Sequence, residues 1–232
     1  MAKKKTSLAK TLKKAIIYSG LFFVMSTASI VLLVGLLPLN TSSFMLQQHL
    51  ADFNDDKGFT PIKQNWVDEE NVSPYLFSAI IAAEDQLFFQ HHGFDFNSIY
   101  SAIKSSASGK KLRGASTISQ QVAKNLFLSS SRSLWRKGLE AWFTLLIELF
   151  WSKQRILLVY VNIAQFGDHL FGVQAASKHY YGIPAKSVSS EQAALLAASL
   201  PNPIRFKVNN PSHYMLSKQQ WILEQMRNLN FL

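Results

Sequence analysis

The chain has 232 residues, a mass of 26.2 kDa, 48% hydrophobic and 16% charged residues, and no cysteine. This composition is too apolar for a disordered chain, and the length is too short for two large domains. The lack of cysteine in the sequence excludes disulfides, zinc–thiolate sites and a cysteine nucleophile. The net charge of +10 includes six lysines in the first 14 residues, and the remainder has 18 basic and 14 acidic residues, a net of +4. That remainder is too weakly basic to favour a nucleic-acid-binding protein, so we expect no nucleic acid among the partners.

An uncharged segment, 15–37, follows the basic tail 1–14. As a helix its 23 residues span about 34 Å, which matches a bilayer core about 30 Å thick. We predict one transmembrane helix, with the lysine-rich tail in the cytoplasm and the rest of the chain on the far side. A cleaved signal peptide is the alternative, with a small-residue site at 26–28. The apolar run continues nine residues past that site, which is long for a signal peptide.

Beyond this segment, the sequence predicts a polar stalk over 38–60 and a mainly α domain over 61–232. Strand signals are few, and the run 59–67 is compatible with a short strand. Helical periodicity predicts the elements of the domain. The expected helices are 76–89, 97–105, 117–127 with Ser116 as N-cap, 133–151, 153–164, 172–181, 190–200 and 214–229. The small polar residues 105–111 predict a mobile loop.

The predicted helix 133–151 is apolar on nearly all sides, which is typical of a central core helix or of one in partial contact with lipid. We expect the core position for its apolar residues. Glu148 lies in the same apolar stretch without a basic neighbour in the sequence, and we interpret it as structural.

A first cluster of polar residues follows the apolar run 77–83. It contains Glu84, Asp85 and His91, with Phe88 between them. Burial at the end of a helix raises the pKa of a carboxyl group and can make it a general base or acid. An ordinary solvated helix end is the alternative. Adjacent histidines diverge on a helix and no HExxH spacing occurs, so the cluster does not predict a metal site.

A second cluster, 114–125, concentrates hydroxyl and amide groups at a predicted helix start. A helix N-terminus of this kind suits anionic or sugar ligands. The alternative is a polar, capped surface helix. The candidate ligand-binding residues are Ser116, Thr117, Gln120, Gln121, Lys124 and Asn125.

A third cluster contains Arg132, Arg136, Lys137 and Glu140. Arg136 and Glu140 are four residues apart and share a helix face, so a simple ion pair is one interpretation, worth about 0.3–0.5 kcal/mol if exposed. The other interpretation is a basic cradle for phosphate beside a second carboxylate.

These three clusters and two later blocks, 153–167 and 175–182, resemble the peptidoglycan glycosyltransferases of glycosyltransferase family 51. The family includes the polymerase half of class A penicillin-binding proteins, and the resemblance covers roughly residues 60–232. Leu158 and Tyr181 stand where the family more usually has Glu and Phe. The KTG motif of a penicillin-binding domain does not occur in the sequence.

The resemblance implies a mainly α, lysozyme-like glycosyltransferase domain with a small membrane-proximal lobe, preceded by one transmembrane helix. It implies lipid II as substrate and the lipid-linked nascent glycan as donor. The 4-hydroxyl of the incoming GlcNAc would attack C1 of the donor MurNAc with inversion and release undecaprenyl diphosphate.

The resemblance also implies a divalent metal, Mg or Mn, bound with the substrate diphosphate, and sensitivity to moenomycin, a phosphoglycolipid that mimics the donor. The expected location is the bacterial inner membrane, with a single pass, a cytoplasmic N-terminus and a periplasmic catalytic domain. Cell-division or cell-wall synthesis proteins are expected partners.

Residue roles follow from the same resemblance. Glu84 matches the general base, and Glu140 matches a second essential glutamate that assists departure of the diphosphate. The residues matching supports of Glu84 are Asp85, Phe88 and His91. Those matching contacts to the diphosphate are Lys124 and Arg132, flanked by Arg136 and Lys137. Those matching the sugar- and phosphate-positioning groove are Ser116, Thr117, Gln120, Gln121 and Asn125.

Three other classes of protein stay open at this point. A lytic hydrolase would use the same carboxylates with water as acceptor, but it needs no basic diphosphate site. A membrane-anchored scaffold would tolerate loss of both glutamates. A membrane-attached nucleic-acid binder would need more than the net +4 outside the basic tail.

Overall fold

The computed structural model describes residues 2–54, 58–107, 116–131 and 133–231. Arg132 and residues 108–111 of the predicted loop lie outside this part of the chain, so the loop stays a prediction there. Residues 105–107 were also predicted to belong to the loop, but they are helical and end the helix Phe96–Ala107.

The described chain is mainly α, which confirms the predicted fold class. Its helices are α1 Ala2–Leu36, α2 Ser43–Asn54, α3 Pro74–Glu84, α4 Phe96–Ala107, α5 Ile118–Phe127, α6 Leu134–Phe150, α7 Lys153–Ile163, α8 Val173–Tyr181, α9 Ser190–Ser199 and α10 His213–Asn228. Two short 3₁₀ helices span Glu69–Asn71 and Ala185–Ser187. Strands β1, Gln165–Gly167, and β2, Leu170–Phe171, pair in antiparallel fashion.

Three other local predictions were wrong. The helix predicted to reach residue 89 ends at Glu84, because Asp85 leaves the helical conformation with φ −162° and ψ 76°. The N-cap of α5 is Thr117, one residue after the predicted Ser116. The run 59–67 forms no regular strand and makes a single parallel bridge, Lys63 to Leu170.

Helix α2 lies within the predicted stalk, where the sequence did not indicate a helix. It is docked on the domain: the Ser43 hydroxyl donates to the Leu128 carbonyl over 2.9 Å, and Met45 is buried. His169 Nε2 lies 2.7 Å from Asp52 Oδ2 at the other end of the helix. The segment that follows α1 is therefore held against the β1–β2 hairpin and the end of α5.

The core is built from two sets of helices. Helix α3 packs against α9 and α10, and α5 packs against α6 and α7. The α3 side chains Leu76, Ala79 and Ile80 are buried. Helix α9 presents mostly alanines to this interface, and small side chains let helix backbones approach closely. The C-terminal end of α3 lies beside the N-terminal end of α5, because the Ile118 N–H donates to the Asp85 carboxylate over 3.0 Å.

Helix α1 includes a stretch, Lys10–Leu36, long and apolar enough to cross a membrane. Its C-terminal part packs against α6. The Trp151 indole N–H donates to the Val31 carbonyl over 2.9 Å, and the Trp142 indole N–H donates to the Thr27 hydroxyl over 3.2 Å. The candidate span is therefore joined directly to the helix that carries Glu140.

Helix α6 has two apolar faces with different surroundings. Leu146 and Ile147 are buried, whereas Leu145 and Leu149 are exposed. The expectation that the apolar residues of this helix lie in the core therefore holds for one face and is wrong for the other. The helix that is docked on the candidate membrane span therefore also exposes apolar side chains.

Candidate active site

Glu84 is the last residue of α3. The helix begins with Ser73 as N-cap, whose side chain accepts from the Tyr75 N–H, and with Pro74 in the first turn, where a missing N–H costs nothing. At its other end the partly buried Glu84 side chain lines an open cavity of about 390 Å³, together with Asp95, Ser116 and Trp221. A carboxylate at the wall of such a cavity can contact a bound molecule.

Glu84 is held by a short hydrogen-bond chain. The Gln121 amide nitrogen donates to Glu84 Oε2 over 2.8 Å, and the Tyr160 hydroxyl donates to Gln121 Oε1 over 3.1 Å. Burial raises the pKa of Glu84, and the hydrogen bond from Gln121 opposes that rise. Burial also raises the pKa of Tyr160 well above its ordinary value, so the phenol stays a donor. The carboxylate is thus oriented and poised to take a proton.

Asp85 joins three segments behind Glu84. Its carboxylate lies 2.9 Å from His91 Nε2 and accepts from the Ile118 backbone N–H over 3.0 Å. Phe88 is fully buried beside the His91 ring. Burial raises the pKa of Asp85, and its bond to His91 counteracts this effect. The predicted supporting residues therefore lie together, and they tie the end of α3 to the start of α5.

The start of α5 is closed by a capping box. The Thr117 side chain accepts from the Gln120 N–H, and the Gln120 side chain accepts from the Thr117 N–H. The Thr117 hydroxyl also donates to the Gly93 carbonyl over 2.7 Å. Both Thr117 and Gln120 are buried, whereas Ser116 is exposed. Within the second cluster, these two residues build the helix start, and Ser116 and Gln121 face the cavity region and Glu84.

Glu140 is the second carboxylate, and it is buried on α6. Arg136 Nη1 lies 2.9 Å from Glu140 Oε2, and the Lys137 ammonium pairs with Oε1. The predicted ion pair at four-residue spacing is therefore present, and a second cation adds to it. Arg136 Nε is buried without a hydrogen-bond partner among the described residues. A donor of this kind is available to an anion that enters the cluster.

Lys124 connects the two carboxylates electrostatically. It is partly buried on α5, with its ammonium 5.3 Å from the centre of the Phe44 ring. Burial lowers the pKa of Lys124, and the charges of Glu140 and Glu84 both raise it. Lys124, Asn125, Gln121 and Tyr160 share a second cavity of about 190 Å³. The charge of Lys124 thus interacts both with Glu84, which has no ion-pair partner among the described residues, and with Glu140, which is paired with two cations.

The donor set does not fit a resident metal ion. Within the described ranges no group of three or more His, Asp and Glu side chains is arranged to hold one. Asp85 is already bonded to His91 and Ile118, and Glu140 is paired with two cations. The expected divalent metal therefore stays a prediction for an ion that arrives with the substrate.

Several residues of this region were missed from the sequence. Tyr160 lies in the block 153–167, which the family resemblance includes, but its contact with Gln121 was not predictable from the spacing of the two residues. Lys218 and Trp221 lie beyond the blocks and gave no signal.

The interpretation that Glu148 lacks a nearby base was wrong. Lys153 Nζ lies 2.8 Å from Glu148 Oε1, and the Ser119 hydroxyl donates to the same oxygen. Lys153 is five residues after Glu148 and follows the break between two helices at residues 151–152, so the i,i+4 spacing of ion pairs within one helix does not predict this pair. The interpretation of Glu148 as a structural residue agrees with these contacts.

An oriented carboxylate beside an open cavity is typical of enzymes that use acid–base chemistry, and a basic cluster next to it suits an anionic ligand. Residues 50–227 match the family profile described as Transglycosylase. The chain belongs to the transglycosylase family, which confirms the resemblance seen in the five sequence blocks.

Three relatives show how far the similarity extends. The chain is 56% identical over 170 residues to the biosynthetic peptidoglycan transglycosylase of Shewanella oneidensis, covering 73% of each chain. It is 50% identical over 208 residues to the protein of that name from Haemophilus influenzae, covering 89% of this chain and 85% of the relative. The corresponding protein of Yersinia pseudotuberculosis is 49% identical over 200 residues, which is 86% of this chain and 83% of that protein.

Proposed function

We propose that this protein is a peptidoglycan glycosyltransferase that polymerises glycan strands from lipid II in cell-wall synthesis. The family membership and the names of its relatives support the peptidoglycan substrate. The observation that carries the mechanism is that the two carboxylates have opposite environments. Among the described residues, no cation lies within hydrogen-bond distance of Glu84, whereas Glu140 is paired with Arg136 and Lys137.

The reaction needs a base on the attacking side. The 4-hydroxyl oxygen of the acceptor GlcNAc forms a bond to C1 of the donor MurNAc, and its proton passes to the Glu84 carboxylate. Gln121 and Tyr160 orient that carboxylate, and the partly buried position raises its pKa toward the working range of a base. Attack from the face opposite the leaving group inverts the configuration at C1.

The reaction also needs charge stabilisation on the leaving side. The C1–oxygen bond breaks, and its electron pair leaves with the undecaprenyl diphosphate. Lys124, Arg136 and Lys137 supply positive charge beside the second cavity, and Glu140 fixes the two cations that it pairs with. Such charges stabilise a transition state most where negative charge develops. We extend this role to Arg132 by resemblance alone, and a divalent metal carried by the diphosphate would add to it.

Purified protein with fluorescent lipid II tests this proposal. We expect a ladder of glycan polymers with β-1,4 linkages and release of undecaprenyl diphosphate, and a loss of polymer when a chelator is added. Muramidase should digest the polymer, which verifies the linkage. Cleavage of preformed glycan without polymerisation would instead identify a lytic hydrolase, and the absence of any reaction would favour a scaffold.

We propose that the enzyme crosses the bacterial inner membrane once, with its N-terminus in the cytoplasm and its catalytic domain in the periplasm. The lysine-rich tail before the Lys10–Leu36 stretch supports this orientation. Alkaline phosphatase fused after Leu232 should be active in cells, and a cytoplasmic reporter at the same place should be inactive. The reverse pattern would contradict the proposed orientation.

A further inference from the structure

The C-terminal helix α10 forms a wall of the Glu84 cavity that no sequence block includes. It packs against α3 and α9 through its buried face, which includes Met215, Ile222 and Met226. The Gln86 amide nitrogen donates to Gln225 Oε1 over 3.4 Å, just past the end of α3. The wall is therefore fixed relative to the helix that ends in Glu84.

Two side chains of α10 meet at this wall. Trp221 lines the same cavity as Glu84, and its side chain is 38% exposed. The Lys218 ammonium lies 3.4 Å from the centre of the Trp221 ring. A cation over an indole face is held there by the electrostatic attraction of the ring. Trp221 thus holds a lysine charge at the edge of the cavity.

The charges that act on Glu84 come from several helices. Burial raises the pKa of Glu84, and the negative charge of the adjacent Asp85 raises it further. The positive charges of Lys218 on α10 and Lys124 on α5 lower this pKa, and the effect of Lys218 is the stronger of the two. Helix α7 contributes the neutral phenol of Tyr160, which reaches Glu84 through Gln121. Helix α9 carries one acid, Glu191, in its exposed first turn.

Lys218 differs from Lys124 in its surroundings. The charge of Lys124 is also attracted by Glu140 and lies beside the cations of the third cluster. Burial lowers the pKa of Lys218, and among the described residues the charge of Glu84 opposes this effect. The Lys218 ammonium contacts the Trp221 ring, which lines the same cavity as Glu84.

We propose that Lys218 and Trp221 form a positioning pair for Glu84, in which Trp221 fixes the lysine ammonium beside the cavity that Glu84 lines. The pair acts through Glu84, so this inference depends on the proposed role of Glu84 as the base. It assigns one of the positive charges near that base to the C-terminal helix.

The pH dependence of kcat/KM for lipid II polymerisation tests the pair. Removing a positive charge raises the pKa of a neighbouring carboxyl group, so in Lys218→Met the acidic limb should move to higher pH. Because Lys218 is partly exposed, we expect a displacement of about 0.5–1 pH unit, or roughly three- to tenfold slower reaction on the acidic side. Lys218→Arg should restore most of the wild-type profile, and Trp221→Leu should move the limb in the same direction as Lys218→Met.

Lys186→Met is the matched control, since it removes the same charge from an exposed turn. A purely structural role for Lys218 predicts a lower melting temperature with an unchanged acidic limb, and that result would overturn the proposal. If Lys218→Met does not fold, an unchanged limb in Trp221→Leu would also overturn it. Wild-type protein that makes no polymer would instead contradict the proposed function, and an active Glu84→Gln variant would contradict the role of the base.

Discussion

Glu84→Gln is expected to lower kcat for glycan polymerisation by roughly 10²- to 10⁴-fold, which is the usual contribution of a general base. Glutamine keeps the volume of the side chain and can still bond to Gln121, but it cannot take the acceptor proton. The fold should remain intact, because the side chain ends α3 at the cavity wall and makes no ion pair with a described residue. The rate with fluorescent lipid II and the melting temperature are the two measurements.

The direction in which Glu84→Gln should change the stability of the fold follows from the pKa of Glu84. Burial raises the pKa of Glu84 in the folded protein, so the folded state binds a proton at this carboxyl group more tightly than the unfolded state does. The protein therefore loses stability as the pH rises and the carboxyl group becomes ionised. Glutamine removes this cost, and the melting temperature near neutral pH should equal or exceed that of the wild type. An inactive variant that is also strongly destabilised would contradict this account.

Two matched variants separate catalysis from structure. Glu70→Gln removes a carboxylate from an exposed 3₁₀ turn and should change neither rate nor stability. Asp85→Ala should lower the melting temperature, because it leaves the buried Ile118 N–H and the His91 ring without the group that they bond to. A Glu84→Gln enzyme with a near-normal rate would remove Glu84 from the mechanism.

The helices of the domain were predictable because apolar periodicity and caps act over a few residues. Ser133 and Ser212 cap α6 and α10 close to where the pattern placed the helix starts. The end of α3 was not predictable, since Asp85 leaves the helix to bond with groups on other segments. The choice of Thr117 over Ser116 as N-cap depends in the same way on the distant Gly93 carbonyl.

In the candidate site, too, the features that depend on nearby residues were predictable and those that depend on distant segments were not. Glu84 and Glu140 stood out from the sequence because they lie in recognisable blocks, and the Arg136–Glu140 pair followed from helical spacing. Contacts between distant segments, such as Tyr160 with Gln121 and α10 with the Glu84 cavity, arise only when the helices pack. Helix α2 was missed because its apolar residues form no single buried stripe: Met45 is buried, whereas Leu46 and Leu50 are exposed. Contacts with Leu128 and His169 add to the docking of this helix.

Lys124→Met is expected to lower kcat by about 10²-fold and to raise KM. The loss of one charged donor to a developing charge costs about 3–4 kcal/mol in a dry site, and we expect the lower end because Lys124 is partly exposed. Since the charge is needed most as the diphosphate leaves, the effect should appear in kcat as well as in substrate binding. Moenomycin affinity, measured by calorimetry, should fall too if inhibitor and donor place a phosphate on this lysine.

The contacts of Glu140 argue against a purely structural role for Lys124. Glu140 keeps Arg136 and Lys137 as partners when Lys124 is lost, so no buried carboxylate is left unpaired. Burial lowers the pKa of Lys124, so its charged form costs stability and its removal should leave the melting temperature unchanged or higher. Arg136→Met should do the opposite, lowering the melting temperature, because it takes away one of the two partners of a buried glutamate. Lys186→Met serves again as the exposed control, and a folded Lys124→Met enzyme with wild-type polymerisation and wild-type moenomycin affinity would exclude this lysine from the diphosphate site.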